Sequence, residues 1–120
     1  MKYTDSHEWL KTTGNEGVVG VSEYAQSELG DVVYVELPQV GKKIHAGEEA
    51  AVLESTKAAA DVYAPITGTI TEVNQALENS PELINTSPES EGWLFKMAID
   101  DPSELDKLMD EKAYNAQFTA

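Results

Sequence analysis

One side chain offers itself for covalent chemistry. In Ala51-Val52-Leu53-Glu54-Ser55-Thr56-Lys57-Ala58-Ala59-Ala60-Asp61-Val62-Tyr63-Ala64-Pro65, a strand-like run climbs to a lone lysine and a second run of small residues descends from it. All eight cations of the chain are lysines, and none neighbours Lys57 in this segment. A lysine at the apex of a hairpin presents its amine to solvent on a stiff support. A modifying enzyme needs that arrangement if it is to acylate one lysine and ignore the others. An ordinary lysine amine has a pKa of about 10.4 and is protonated at neutral pH. A separate enzyme must therefore bring an activated acyl group and a base. Ala58, Ala59 and Ala60 leave the hairpin face uncluttered for it. Acylation would remove the charge and leave a long, mostly apolar arm. Loop tips are polar and exposed in any case, so this segment alone does not separate an acceptor lysine from an ordinary tip.

Other chemistry finds little support. His7 and His45 are the only histidines, far apart and without metal-ligand spacing. Glu48-Glu49 and Asp100-Asp101 read as solvated turn residues, and there is no calcium-loop pattern. No glycine-rich phosphate loop and no nucleophile elbow occurs. The chain is not expected to be an enzyme in its own right, nor to bind a metal.

Composition narrows the classes further. At 120 residues the chain is expected to form one domain, residues 1–120, able to bury roughly two-thirds of its unfolded surface. With no cysteine there is no disulfide framework, zinc-thiolate site or cysteine nucleophile. The net charge is −14, from 22 acidic residues against eight lysines. Such a chain repels nucleic-acid phosphates and anionic membrane surfaces, so neither is an expected partner. The acidity suits both simple solubility and a small shuttle steered toward larger partners. No apolar stretch is long enough to span a bilayer and the N-terminus has no apolar signal core. The expected compartment is the cytoplasm, or a mitochondrial matrix if a presequence has been removed.

The elements that must position Lys57 are mostly strands. The stretches around Trp9–Thr13 and Val18–Val21 flank a turn at Gly14-Asn15-Glu16-Gly17. Ser22 opens a short helix that Gly30 stops. Asp31 to Leu37 is β-branched and aromatic, hence a strand, and Pro38 ends it. Thr69–Val73 and Trp93–Ile99 supply further strands, with loops expected at 79–81 and 85–88. Asp101-Pro102-Ser103-Glu104 starts a C-terminal helix expected over about 102–118, with Leu105, Leu108 and Met109 on its apolar face, extending toward Tyr114. Asp31-Val32-Val33-Tyr34 and Asp61-Val62-Tyr63 form a faint internal echo, each opening a strand. Many short strands and one closing helix predict a mainly β sandwich or flattened barrel.

The segment Glu54-Ser55-Thr56-Lys57-Ala58, running into Asp61-Val62-Tyr63-Ala64-Pro65-Ile66-Thr67-Gly68, resembles the lipoyl-attachment region of the glycine cleavage system H proteins. Ser6-His7-Glu8-Trp9, Gly30 to Pro38, Val73-Asn74, Pro81 to Asn85 and Gly92-Trp93-Leu94 resemble that family's signatures in the same order, over nearly the whole chain. The resemblance implies a barrel-sandwich hybrid of two antiparallel sheets, with a short internal helix and a C-terminal helix, acting as a monomeric carrier without catalysis of its own. It implies lipoate in amide linkage to Lys57. The arm would take an aminomethyl group from the pyridoxal-phosphate-dependent glycine decarboxylase (P protein) to the tetrahydrofolate-dependent aminomethyltransferase (T protein). The flavin-dependent dihydrolipoamide dehydrogenase (L protein) would then reoxidise it. A lipoate ligase or a lipoyl/octanoyl transferase would attach the arm, with Glu54 and Gly68 at positions linked to recognition by that enzyme. Ser6, Glu8 and Asp61 match polar positions that hold the loaded arm against the protein. Thr56 and Ala60 depart from the commoner valine and serine, and both remain compact.

Two related carriers fit less well. A biotin carrier usually flanks its lysine with methionines, which Thr56 and Ala58 are not. A lipoyl domain of a 2-oxo acid dehydrogenase would be shorter and tethered to an acyltransferase. A platform that passes lipoyl groups to other proteins would need the same lysine and hairpin, so the residues leave that job open beside glycine cleavage.

Overall fold

The computed structural model describes residues 1–118, and the chain builds two antiparallel sheets around a shared core. The strands are β1 (Lys2–Tyr3), β2 (Glu8–Thr13), β3 (Glu16–Val21), β4 (Val32–Glu36), β5 (Lys43–Ile44), β6 (Glu49–Ser55), β7 (Ala59–Tyr63), β8 (Gly68–Val73), β9 (Phe95–Ile99) and β10 (Met109–Asp110). One sheet runs in the order β10-β1-β2-β3-β9-β8-β5, the other β4-β6-β7. The expected mainly β sandwich of two antiparallel sheets is what the chain forms.

Alternation decides which face of each strand turns inward. In β6, Ala51 and Leu53 are buried while Glu49 and Glu54 face solvent. In β4 the buried residues are Val32 and Val35, three apart, and the register shift between Val32 and Tyr34 absorbs the extra residue. These side chains meet Leu10, Val19, Val21, Ile70, Phe95 and Met97 from the larger sheet in one apolar cluster. Each fully buried aliphatic or aromatic side chain there stabilises the fold by about 1.5–3 kcal/mol.

The short helix α1 (Glu23–Leu29) starts and stops as its sequence predicts. Ser22 Oγ accepts a hydrogen bond from Ala25 N at 3.1 Å. Gly30 ends the helix at φ 84°, a backbone region in which a Cβ is unfavourable. The two segments of the internal echo lie on either side of β6 in the smaller sheet, but only the first opens a strand; Asp61 sits two residues into β7.

Three expectations change. The segments read as loops at 79–81 and 85–88 overlap single helical turns, α2 (Ala76–Asn79) and α3 (Leu83–Thr86), which take in Asn79, Asn85 and Thr86 and bury Leu77 and Ile84. The continuous helix over 102–118 is instead three pieces. A 3-10 turn, Pro102–Lys107, is capped by Asp101 Oδ1, which accepts from Ser103 N; β10 follows, and then the helix α4 (Glu111–Phe118). The break occurs because Met109 and Asp110 pair with Tyr3 and Lys2, closing the edge of the larger sheet. Asp110 Oδ1 then caps α4 by accepting from Ala113 N at 2.8 Å. The last long strand also begins at Phe95 rather than Trp93.

Gly68 opens β8 between β5 and β9 and is buried. A Cβ there would lie 2.0 Å from the carbonyl oxygen of Ala98, so β8 and β9 close on each other only because Gly68 has no side chain. Gly68→Ala is expected to destabilise the fold by about 1–3 kcal/mol, the usual cost of overpacking. Chemical denaturation of the two proteins measures this directly.

Candidate functional site: an acceptor hairpin beside a cleft

The β6–β7 turn holds Lys57 at its tip with its backbone amides satisfied. Ser55 N donates to Ala58 O at 2.8 Å, and Thr56 N donates to Asp31 O at 3.0 Å. The N–H groups of Lys57 and Ala58 each donate to Ser55 Oγ at 3.1 Å, and that hydroxyl donates to Ala58 O. Ser55 thus does the work of a full turn of backbone hydrogen bonding, and the Asp31 carbonyl ties the tip to the start of β4. The tip itself is exposed.

The Lys57 stem lies across Gly30. A Cβ at position 30 would be 3.3 Å from Lys57 Cε, so glycine serves there both the helix end and the path of the lysine. Asn85 fixes this corner: its Nδ2 donates to Gly30 O and to Gln26 Oε1, and its Oδ1 accepts from Val32 N. No local pattern around Asn85 discloses this bracing, because its partners are more than fifty residues away in sequence.

Beside the hairpin lies a cleft of about 390 Å³ between α1, the segment preceding β2, and the edge strand β7. Val21, Ala25, Leu29, Leu53 and Val62 give it apolar walls, and Ser6, Glu8 and Asp61 line the same cleft. The structure therefore brings together the three polar residues expected to hold a loaded arm. Glu54 stands apart from them, exposed on β6 and paired across the sheet with Tyr34 and Ala59. Gly68 is farther still, buried in the other sheet.

Glu8 is 2% exposed yet well supplied with donors. Its Oε1 accepts from Thr4 Oγ1 at 2.5 Å and from Ser6 Oγ at 2.6 Å, and its Oε2 accepts from Tyr63 N at 3.2 Å. Burial pushes its carboxyl above the usual glutamate range, and the hydroxyls of Ser6 and Thr4 and the Tyr63 amide pull it back. Ser6→Ala is therefore expected to raise the Glu8 midpoint further, because a donor to the ionised form is lost. A carboxyl carbon NMR titration of both proteins would show it, and an unmoved midpoint would remove Ser6 from that role.

His7, between Ser6 and Glu8, also lines the cleft and escaped the sequence reading, which sought metal ligands around it. Among the described residues no group of three or more His, Cys, Asp or Glu could hold a metal ion. Nor is any described helix long and apolar enough to cross a membrane.

The chemistry of this site suits an acylated lysine. An exposed, rigidly mounted amine stands beside an apolar trough with carboxylates along it, so a long apolar arm has a surface to lie on and a cationic tip has partners. Such a hairpin lysine on a two-sheet barrel-sandwich marks the lipoyl- and biotinyl-carrier class. The sequence model of the glycine cleavage H-protein family matches residues 1–120. The chain is 57% identical over 113 residues to a glycine cleavage system H protein of Thermotoga maritima, covering 94% of this chain and 91% of that one. It is 52% identical over 120 residues to that of Pectobacterium atrosepticum, covering 98% and 92% respectively. The crystal structure of a glycine cleavage system H protein from Mycobacterium marinum matches with a TM-score of 0.84 at 36% identity, over 97% of this chain and 94% of that one. The chain belongs to the glycine cleavage H-protein family, and so is a lipoyl carrier component of the glycine cleavage system rather than a catalyst.

Proposed function

We propose that this chain carries the aminomethyl group of glycine between enzymes on a lipoyl group in amide linkage to Lys57 Nζ. Lys57 would hold the lipoyl group, whose dithiolane would supply the acceptor for this cargo, with glycine decarboxylase (P protein), aminomethyltransferase (T protein) and dihydrolipoamide dehydrogenase (L protein) as the partner enzymes. A lipoate ligase or lipoyl/octanoyl transferase attaches the lipoyl group. The chain works as a monomer, and in the cytoplasm, as the bacterial origin of its relatives suggests.

The observation that carries this reading is the exposed Lys57 on a fully hydrogen-bonded tip, adjoining a cleft lined by Ser6, Glu8 and Asp61. The hairpin's rigidity lets the attaching enzyme meet one lysine in one geometry, with Glu54 exposed on the same strand as its handle. Gly68 serves that enzyme through the fold it permits. In the cleft, Glu8 and Asp61 supply the negative charge that a protonated amine favours. Ser6 and Thr4 hold Glu8 in place, and the apolar walls exclude water from the arm.

Reconstitution tests the proposal. The lipoylated chain, added to the three partner proteins with glycine, tetrahydrofolate and a nicotinamide electron acceptor for the dehydrogenase, should restore carbon dioxide release, and the unlipoylated chain should not. Release that does not depend on the added chain would overturn it.

A further inference from the structure

We infer that the Tyr114 hydroxyl is the positioning group of the arm cleft, holding its two walls in register through His7 and Ser22. The inference rests on the carrier reading above.

Tyr114 belongs to α4 and is not among the residues lining the cleft. It is 2% exposed, and its ring stacks on Tyr3 with centroids 4.4 Å apart. Its hydroxyl lies 2.7 Å from Ser22 Oγ and 2.7 Å from His7 Nδ1. These partners govern opposite walls. Ser22 caps α1, whose Ala25, Glu28 and Leu29 form one wall. His7 separates Ser6 from Glu8, the polar groups of the other.

His7 needs such an anchor. Its φ of 75° is the single positive value outside glycine among the described residues, and a non-glycine residue holds that conformation only when its surroundings over-determine it. Its carbonyl accepts from Ser22 N at 2.9 Å, and its amide donates to Thr4 O at 3.2 Å. The ring is clasped by Tyr24 of α1 and Phe118 of α4, each at a centroid distance of 4.7 Å. A rotation of this residue would swing Ser6 and Glu8 together.

Each hydroxyl can both donate and accept, so the relay runs from Ser22 through Tyr114 to Nδ1 of a neutral His7, or from a protonated Nδ1 through Tyr114 to Ser22. Both bonds across the cleft persist in either sense. Burial pushes the imidazole below its usual range, against the pull of Asp5 on the same turn and Glu28 on α1. From α4 the Tyr114 hydroxyl and the Phe118 ring face it, and Tyr24 adds a further ring from α1.

The test uses the full lipoylated chain loaded with its aminomethyl cargo. Tyr114→Phe keeps the ring and deletes only the hydroxyl. It should be lipoylated normally and lose its cargo to hydrolysis about three- to tenfold faster, the range that one neutral hydrogen bond spans. The backbone amide resonances of Ser6 and Glu8 should shift in the variant. In the wild type they should titrate with the His7 ring. Glu8→Gln runs alongside. Faster loss in Glu8→Gln with an unchanged lifetime in Tyr114→Phe overturns the positioning inference alone. Unchanged lifetimes in both overturn the cleft reading beneath it. If Tyr114→Phe does not fold, Ser22→Ala, which deletes the other end of the link, decides: an unchanged cargo lifetime there overturns the inference.

Discussion

Replacing Lys57 by alanine is expected to leave a folded protein that supports no glycine cleavage. The side chain is exposed and its stem passes over Gly30, so stability should change by no more than about 0.5 kcal/mol, as for most surface substitutions. The tip keeps its shape, because its hydrogen bonds run through the Ser55 hydroxyl and backbone groups. Only the amine is lost, and with it the atom to which the arm is joined. Carbon dioxide release in the reconstituted system should fall to background. Lys57→Arg should be equally inactive, since it restores the charge without an amine that can form the amide. Thermal unfolding beside the activity assay separates this result from misfolding, and an active, folded Lys57→Ala protein would contradict the carrier reading.

The second large effect is expected at Glu8. Glutamine can still accept from Thr4 and Ser6, but its amide nitrogen would meet the Tyr63 N–H, donor against donor. The variant also loses the charge available to a protonated amine. A hydrogen bond to a charged group contributes about 1.5–3 kcal/mol, so the loaded form should hydrolyse about ten- to a hundredfold faster, while lipoylation of Lys57 proceeds normally. An unchanged lifetime would remove Glu8 from the shielding role. Stability carries its own signature. Because burial raises the Glu8 carboxyl in the folded state, this group's contribution is fully present below the unfolded glutamate pKa and is lost as pH rises through the folded value. Glu8→Gln should flatten that part of the stability–pH curve.

The hairpin was legible because it is local. Strand-forming residues on both sides of Lys57, and small residues beyond it, specify a turn within one window. The ends of α1 were legible for the same reason, as Ser22 and Gly30 act on neighbours three or four residues away. The C-terminal region misled for a physical reason: Leu105, Leu108 and Met109 have helical spacing, yet Met109 is drawn into an edge pair with Tyr3, which no nearby residue announces. The cleft was legible only through family resemblance. Ser6, Glu8 and Asp61 meet because β7 is the edge of its sheet and turns the Tyr63 amide toward Glu8, a consequence of long-range pairing. Gly68 enters the sequence reading only as a recognition position implied by resemblance, while in the fold it is a packing requirement of β9.

Intact mass with peptide mapping, on protein produced in a lipoate-competent cell, tests the central claim most directly. The expected result is a gain of one lipoyl group, localised to the peptide that contains Lys57. An unmodified mass in the presence of an active lipoylating enzyme, or a lipoyl group on another of the eight lysines, would contradict it.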